Sequence, residues 1–422
     1  MGPNSAHSFN MTLPPLALQD AAPPLAESPQ PPLVPPCEAP RITELLRPAR
    51  QRPKEHKLKF AHDSLGFLTE LRHRVDGYFK ATGYSKNDCW QMYLKTAIIL
   101  SLFASSYVLL VFFATTIWEA LGLAVVLAVS MALIGFCIQH DGGHHGYSKY
   151  KFINKLAGMS LDLIGASSYL WYWKHGIFHH TYCNVQGHDT DIDVSGLARF
   201  SPHVKRKKIQ HFQHLYLWLL YGLMASRWHV YGDFLDVYNG KIGPHRIARP
   251  KGWDMAIFIG GKIITFAMLF AVPMIYHDWW VVLLFYVLVT GMIGIILSVV
   301  FQLAHCVEEA DFPLPPEGSL HMESAWAVHQ VETTVDFART SWSASWLLGG
   351  LNFQIEHHLF PKICHIHYPA LSKIVEETCH EFGVRYATHP TFWAGVVSHY
   401  RWLKRMGQTD GTPEPVVAIP KH

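Results

Sequence analysis

The sequence predicts an all-α integral membrane protein, with four transmembrane helices paired as two hairpins and a cytoplasmic helical cap that holds a histidine-rich site. Three observations predict it. Half of the 422 residues are hydrophobic and only 16% are charged, too apolar a balance for two or three soluble domains. The apolar residues gather into two long runs, each sufficient for two spans of about 20 residues. Histidines number 28, and a set of them recurs outside those runs at one spacing.

Taken in order, residues 1–40 contain Pro14, Pro15, Pro23, Pro24, Pro31, Pro32, Pro35 and Pro36 with few aromatic residues, and are expected to form a disordered tail. Residues 41–95 form a cytoplasmic lead-in, in which Leu65, Leu68, Leu71 and Val75 recur at helical spacing and predict an amphipathic helix. From Thr96 to Ile138 the one charged residue is Glu119, so this run is read as spans over 96–116 and 118–138. A second run gives spans over 256–276 and 279–303, broken by His277-Asp278 and carrying only Lys262. Trp118, Tyr276, Trp279 and Trp280 fall at the turns, where aromatic side chains favour the membrane interface.

Between the runs, 157–173 and 215–231 are apolar but studded with polar and basic residues, and predict interfacial helices that lie on the membrane. The block from Cys306 onward reads as soluble and mainly helical, with Leu371–Phe382 its clearest helix. The membrane domain is thus expected over 96–390, and 391–422 is expected to be a C-terminal tail.

Charge sets the topology. Arg41, Arg47, Arg50, Arg52, Lys54, Lys57, Lys59, Arg72, Arg74 and Lys80 precede the first span, and neither hairpin turn contains Lys or Arg. The positive-inside rule then puts the N-terminus, the middle segment and the C-terminus in the cytoplasm. His140, His175 and His357 all fall on that side, as a shared site demands; an odd number of spans between any two would forbid it. Seven cysteines without paired spacing fit a reducing compartment. No basic segment followed by an apolar core occurs in residues 1–40, so insertion is expected to use the first span.

The chemistry lies in three boxes. His140-Asp-Gly-Gly-His144-His145 and His175-Gly-Ile-Phe-His179-His180 share one spacing, and Gln354-Ile-Glu-His357-His358 keeps its end with Gln in front. A His-His pair alone is weak evidence, but the full spacing has a chance expectation on the order of 0.1 per chain. Residues four apart share a helix face and the fifth lies about 100° further round, so each box can splay imidazoles toward one pocket. The boxes contain no Cys, which argues against an iron–sulfur cluster, and imidazole suits iron, copper or zinc without choosing among them.

These boxes, the two hairpins and Gly349-Gly-Leu-Asn-Phe-Gln-Ile-Glu-His-His-Leu-Phe-Pro361 resemble the membrane fatty acid desaturase family, over roughly residues 60–390. Gln354 in place of the first His of the third box resembles the front-end branch, which inserts a double bond between an existing one and the carboxyl end of an acyl chain. The resemblance implies a di-iron site: two non-haem iron ions that use O2 and two external electrons to take two hydrogens from a long-chain fatty acyl substrate, carried by CoA or by a lipid. Unactivated methylenes offer no acidic proton or leaving group, so a metal–oxygen oxidant must carry the hard step.

By the same resemblance His140, His144, His145, His175, His179, His180, His357 and His358 are iron ligands, and His305, in Phe301-Gln-Leu-Ala-His305, is similar to an additional one. Gln354 occupies a ligand position, but an amide is a poorer donor than imidazole, so it is expected to hold water or to act from behind the ligands. Asp141, Asp189, Asp191, Asp193 and Glu356 lie close enough in sequence to accept the second N–H of a liganding imidazole. His188, His365, His367 and His380 are read as ordinary polar residues, and Trp171, Trp173 and Phe178 as interfacial anchors or, less simply, tunnel walls. No His-Pro-Gly-Gly haem motif occurs, so electrons are expected from a separate donor, a ferredoxin or free cytochrome b5 with a reductase, which a basic cytoplasmic face would attract. Membrane lipid is the other expected partner, and nucleic acid is not one.

Two rivals stand. A di-iron lipid hydroxylase or sphingolipid desaturase would use the same ligands, since the outcome depends on how the substrate methylene is held. A histidine-rich metal transporter would instead place ionisable residues along its spans, whereas here the histidines gather outside them.

Overall fold

The computed structural model describes residues 57–194 and 196–409. The Pro-rich tail expected over 1–40 lies outside them.

The lead-in helix forms as its spacing predicts. Helix α1 (Phe67–Thr82) buries Phe67, Leu71, Val75 and Phe79, one residue per turn, and stops at Gly83 in the left-handed region. Its first turn is capped by Asp63, whose carboxylate accepts the N–H groups of Phe67 (3.0 Å) and Leu68 (2.9 Å).

Among the described residues, four helices are long and apolar enough to cross a membrane: α2 (Trp90–Phe112), α3 (Ile117–Gly143), and, later in the chain, Trp253–Tyr276 and Trp279–His305. Helix α3 starts with a capping box between Thr116 and Glu119. It is the central helix, with 67% of its apolar window buried against 17% for Trp253–Tyr276. Leu94, Ile98, Leu102 and Leu109 on α2, and Leu283, Leu284 and Val287 on Trp279–His305, point outward, a surface that a lipid phase would cover.

The bounds differ from those expected. The first span begins at Trp90 rather than 96, because Lys95, the charge that seemed to end it, is buried. The second runs past 138 to Gly143 and the fourth past 303 to His305. Distant chain covers the polar residues at these ends, so the helices continue where a solvent boundary was expected.

Between the two apolar pairs lie α4 (Lys151–Leu163), α5 (residues 168–182), α6 (Gln213–Tyr221), α7 (Leu223–Val230) and α8 (Gly232–Asn239). The single helix expected over 157–173 is broken at Gly165, where φ is +93° and a side chain would collide with the His229 ring. The one expected over 215–231 is divided between α6 and α7. The third and fourth apolar helices are α9 (Trp253–Tyr276) and α10 (Trp279–His305); α10 packs on both α3 and α7.

After α10, strand β2 (His321–Ala325) pairs in parallel with β1 (Lys59–Ala61). Helices α11 (Trp326–Glu332), α12 (Trp342–Leu347), α13 (Gln354–Leu359) and α14 (Tyr368–Phe382) follow. Phe67 and Leu71 of α1, Val331 of α11, Ile355 of α13 and Val375 of α14 share one core. Residues 392–408, expected within a tail, instead form α15 (Phe392–Gln408), which buries Ser398, His399, Trp402, Leu403 and Met406 and packs on α6 and α10. Interspersed Arg401, Lys404 and Arg405 hide this stripe from a composition-based reading.

Candidate metal centre

The first two boxes sit on unusual backbone. A π-helical stretch, Ile134–Gln139, widens α3 just before the first box, and the N–H of His140 bonds to Gly135 O, five residues back. The second box lies in another such stretch, Tyr172–His179, with the N–H of His180 bonded to His175 O. Bonding to the fifth residue brings that residue back over the first. His175, His179 and His180 all turn inward, the third held closer to the first than in an α-helix.

The first box ends differently. His144 is buried, but His145 has φ +62° and is exposed, and it joins no histidine group. The expected ligand role for His145 is therefore corrected: a left-handed backbone turns it away from the site.

The third box reaches the others because of the two glycines before it. Gly349 and Gly350 have φ of +60° and +71°. A Cβ on Gly349 would strike the Phe136 carbonyl in the π-helical stretch of α3, and one on Gly350 would lie 2.7 Å from His365 Cβ. All six residues of α13 are buried.

The imidazoles form two groups that mix the boxes. His140, His144, His175 and His357 are buried, with one nitrogen of each within 4.8 Å of the others. His140 Nε2 and His175 Nε2 are 3.2 Å apart. His179, His305 and His358 meet in the same way, with Cys183 behind them, and His180 joins His357 and His358 between the two groups. His180 Nε2 lies 3.0 Å from His357 Nε2, and Gln354 Nε2 lies 3.0 Å from His305 Nε2.

Groups behind the rings set which nitrogen faces in. His179 Nδ1 donates to Asp189 Oδ2 (3.0 Å) and His358 Nδ1 to Gln330 Oε1 (2.7 Å). The Nε2 atoms of His144, His179 and His358 are then buried without a partner. Orphaned buried acceptors are costly, so inward lone pairs at this density suit a cation. Burial holds His144, His175, His180, His357 and His358 well below the usual imidazole range, in the neutral form that a metal ligand needs. His179 differs: burial opposes its charge, but the Asp189 carboxylate outweighs burial and raises its pKa.

Cys183 is a bystander of this set. Burial pushes its thiol well above the usual range, and Sγ touches His305 Nδ1 (3.3 Å), behind the ring. Of the acidic residues near the boxes, Asp189 meets His179 directly, Asp191 pairs with Lys174 (3.0 Å) and also lies 3.8 Å from His179 Nδ1, Asp141 turns to His365, and Glu356 accepts from Tyr386 (3.0 Å). Gln330 carried no signal in the sequence, lying far from every box, and Cys183, although it follows the second box closely, stood in no metal-ligand spacing there. Trp171 packs its ring 4.8 Å from His175 and 4.9 Å from His144, whereas Phe178 stacks on His245.

Buried neutral imidazoles gathered where α3 and α10 end define a membrane-type protein able to bind metal ions. Residues 116–390 match the fatty acid desaturase family. The sn-1 linoleoyl-lipid 6-desaturase of Arthrospira platensis is 40% identical over 344 residues, which cover 81% of this chain and 93% of the relative. A Synechocystis protein of the same description is 38% identical over 353 residues, 83% of this chain and 98% of its own. The acyl-lipid (8-3)-desaturase of Physcomitrium patens is 37% identical over 362 residues, 85% and 75% of the two chains. This chain belongs to the fatty acid desaturase family, in its front-end branch, and is an oxidoreductase.

Proposed function

We propose that this desaturase acts on a fatty acyl chain esterified in a membrane lipid, inserting a double bond on the carboxyl side of an existing one with two non-haem iron ions. The observation that carries the metal reading is the pair of adjacent buried imidazole groups, in which the inward Nε2 atoms of His144, His179 and His358 have no other partner. In this reading His140, His144, His175 and His357 hold one iron, and His179, His180, His305 and His358 hold the other. Gln354, beside His305, holds water or orients that ligand. Bound iron would supply the O2 activation that unactivated methylenes require.

The chain's own residues do the rest. Asp189 and Gln330 fix the tautomers of His179 and His358, and Trp171 closes the first group against water. The relatives named for linoleoyl-lipid support an acyl-lipid substrate, as does a site at the ends of apolar helices. The same reading arranges α2 with α3 and α9 with α10 as hairpins, whose links at 113–116 and 277–278 lack Lys and Arg, and sets the membrane domain close to the expected 96–390, starting with α2 at Trp90. The helical layer around the histidines is then a cytoplasmic cap, where a ferredoxin or free cytochrome b5 with its reductase delivers electrons.

Double-bond mapping by gas chromatography and mass spectrometry tests this, in a host supplied with mono- and di-unsaturated acids and expressing the chain or its His179→Ala form. A new double bond on the carboxyl side, made only by the unaltered chain and found in the lipid fraction, is expected. Hydroxylated product, or new unsaturation confined to acyl-CoA, overturns the reading.

A further inference from the structure

Only two lysines lie on the four membrane-type helices, Lys95 on α2 and Lys262 on α9, and both are buried, at 5% and 6% exposure. A buried ammonium is costly unless paired and hydrogen-bonded. Lys262 meets that need locally: Nζ donates to Asp233 Oδ2 (2.7 Å), Gly165 O (2.7 Å) and Trp228 O (2.9 Å). Lys95 does not. Its Nζ bonds to His365 Nε2 (3.1 Å) and sits 4.9 Å from the Trp346 ring centre.

The charge that answers Lys95 lies one imidazole further on. His365 Nδ1 donates to Asp141 Oδ2 (2.9 Å), and the His365 backbone N–H reaches the same oxygen (3.2 Å). Accepting at Nε2 and donating at Nδ1 fixes the His365 tautomer and links cation to anion through one ring. All three side chains are buried, and they come from three separate places: α2, the first box, and the loop after the third box. Asp141 lies between His140 and Gly142, and its carbonyl accepts the Gly146 N–H (2.8 Å), so it holds the turn that carries His140 and His144.

We propose that Lys95, His365 and Asp141 form a positioning relay that fixes the first histidine box relative to the third. None of the three belongs to the histidine groups; they act through the backbone on which His140 and His144 stand. A site of this kind loses function when its ligands drift by about 1 Å, which gives the relay its purpose. The inference rests on reading the histidine groups as the iron site.

The test uses the full chain, reconstituted with iron, in four forms: unaltered, Lys95→Met, Asp141→Asn and both together. Iron loss to a chelator, thermal unfolding and turnover are read for each. Each single change is expected to speed iron loss and slow turnover by about tenfold, the scale of changes behind metal ligands. Because the charges are linked through His365, the double change is expected to be no worse than the worse single one. His365→Gln, whose amide can bridge both partners, is expected to recover part of what His365→Ala loses. Losses that multiply in the double form, iron retention equal to that of the unaltered chain, or equal defects in both His365 variants overturn the relay. His179→Ala separates the two levels: if it too retains iron fully, the metal reading itself fails, whereas loss there with retention in Lys95→Met removes only the relay.

Discussion

His179 donates its Nδ1–H to Asp189 across 3.0 Å, with both side chains wholly shielded from solvent. The bond leaves Nε2 as the one lone pair that this imidazole offers, and points it at His305 and His358. Asp189 also accepts the backbone N–H groups of Asn184 (2.9 Å) and Asp191 (2.9 Å), so the loop after the second box is wound around this carboxylate.

Asp189→Asn keeps the shape but removes the charge and can present an N–H to Nδ1. It is expected to weaken iron binding by about 10–100-fold, the usual cost of losing a partner behind a ligand. Chelator competition measures this, and unchanged affinity would show that the bond does not orient the ring.

The two histidines that end the first box separate cleanly. His145→Ala is expected to leave turnover within about twofold, as an exposed side chain with no partner in the site allows. His144→Ala, which removes a buried nitrogen of the first group, is expected to abolish it. Product yield from matched amounts of the two proteins decides the matter.

Gln354 faces His305 Nε2 across 3.0 Å. Gln354→Ala is expected to lower turnover by about 10–100-fold while unfolding stays close to that of the unaltered chain, because the side chain contributes to the site more than to the core. Turnover equal to that of the unaltered chain would remove Gln354 from the site.

Gly143 has no room for a side chain, since a Cβ there would meet the Trp171 ring. Gly143→Ala is expected to cost about 1–3 kcal/mol through overpacking, and Trp171→Leu in the same chain to relieve it. Thermal unfolding in detergent reads both effects.

His399 predicts an acid limit. Its Nδ1 donates to Cys306 O (2.6 Å), Nε2 accepts from Tyr221 (2.8 Å), and burial lowers its pKa to about 4. The unfolded chain, with an ordinary imidazole pKa near 6.5, therefore binds more protons between the two values. Stability from this residue is complete above about pH 6.5 and falls by about 1.4 kcal/mol per pH unit as the pH drops toward 4. Unfolding measured across that window is expected to show a shallower pH slope in His399→Gln, by about one proton.

The membrane helices were legible because about 20 consecutive apolar residues mark a span in any context. Their ends were not. Lys95 reads locally as a boundary, but His365, 270 positions away, supplies its partner and lets the helix continue. Helix α15 was hidden for a related reason: Trp402, Leu403 and Met406 stand beside exposed cations, and only its packing against α6 and α10 reveals the buried stripe.

The sequence by itself determined the inventory: four apolar spans, nine candidate imidazoles and an amide, and the family to which they belong. Tertiary structure alone decided who meets whom. His145 and His180 hold the same place in the same spacing, yet one faces solvent and the other the site, because a left-handed residue ends the first box while a π-helical turn carries the second. The groups also cut across the boxes, joining His140 and His144 to His175 and His357, and His179 to His305 and His358. Spacing records only which side chains share a helix face; the packing of α3, α5, α10 and α13 sets the distances between faces, and those distances make the site.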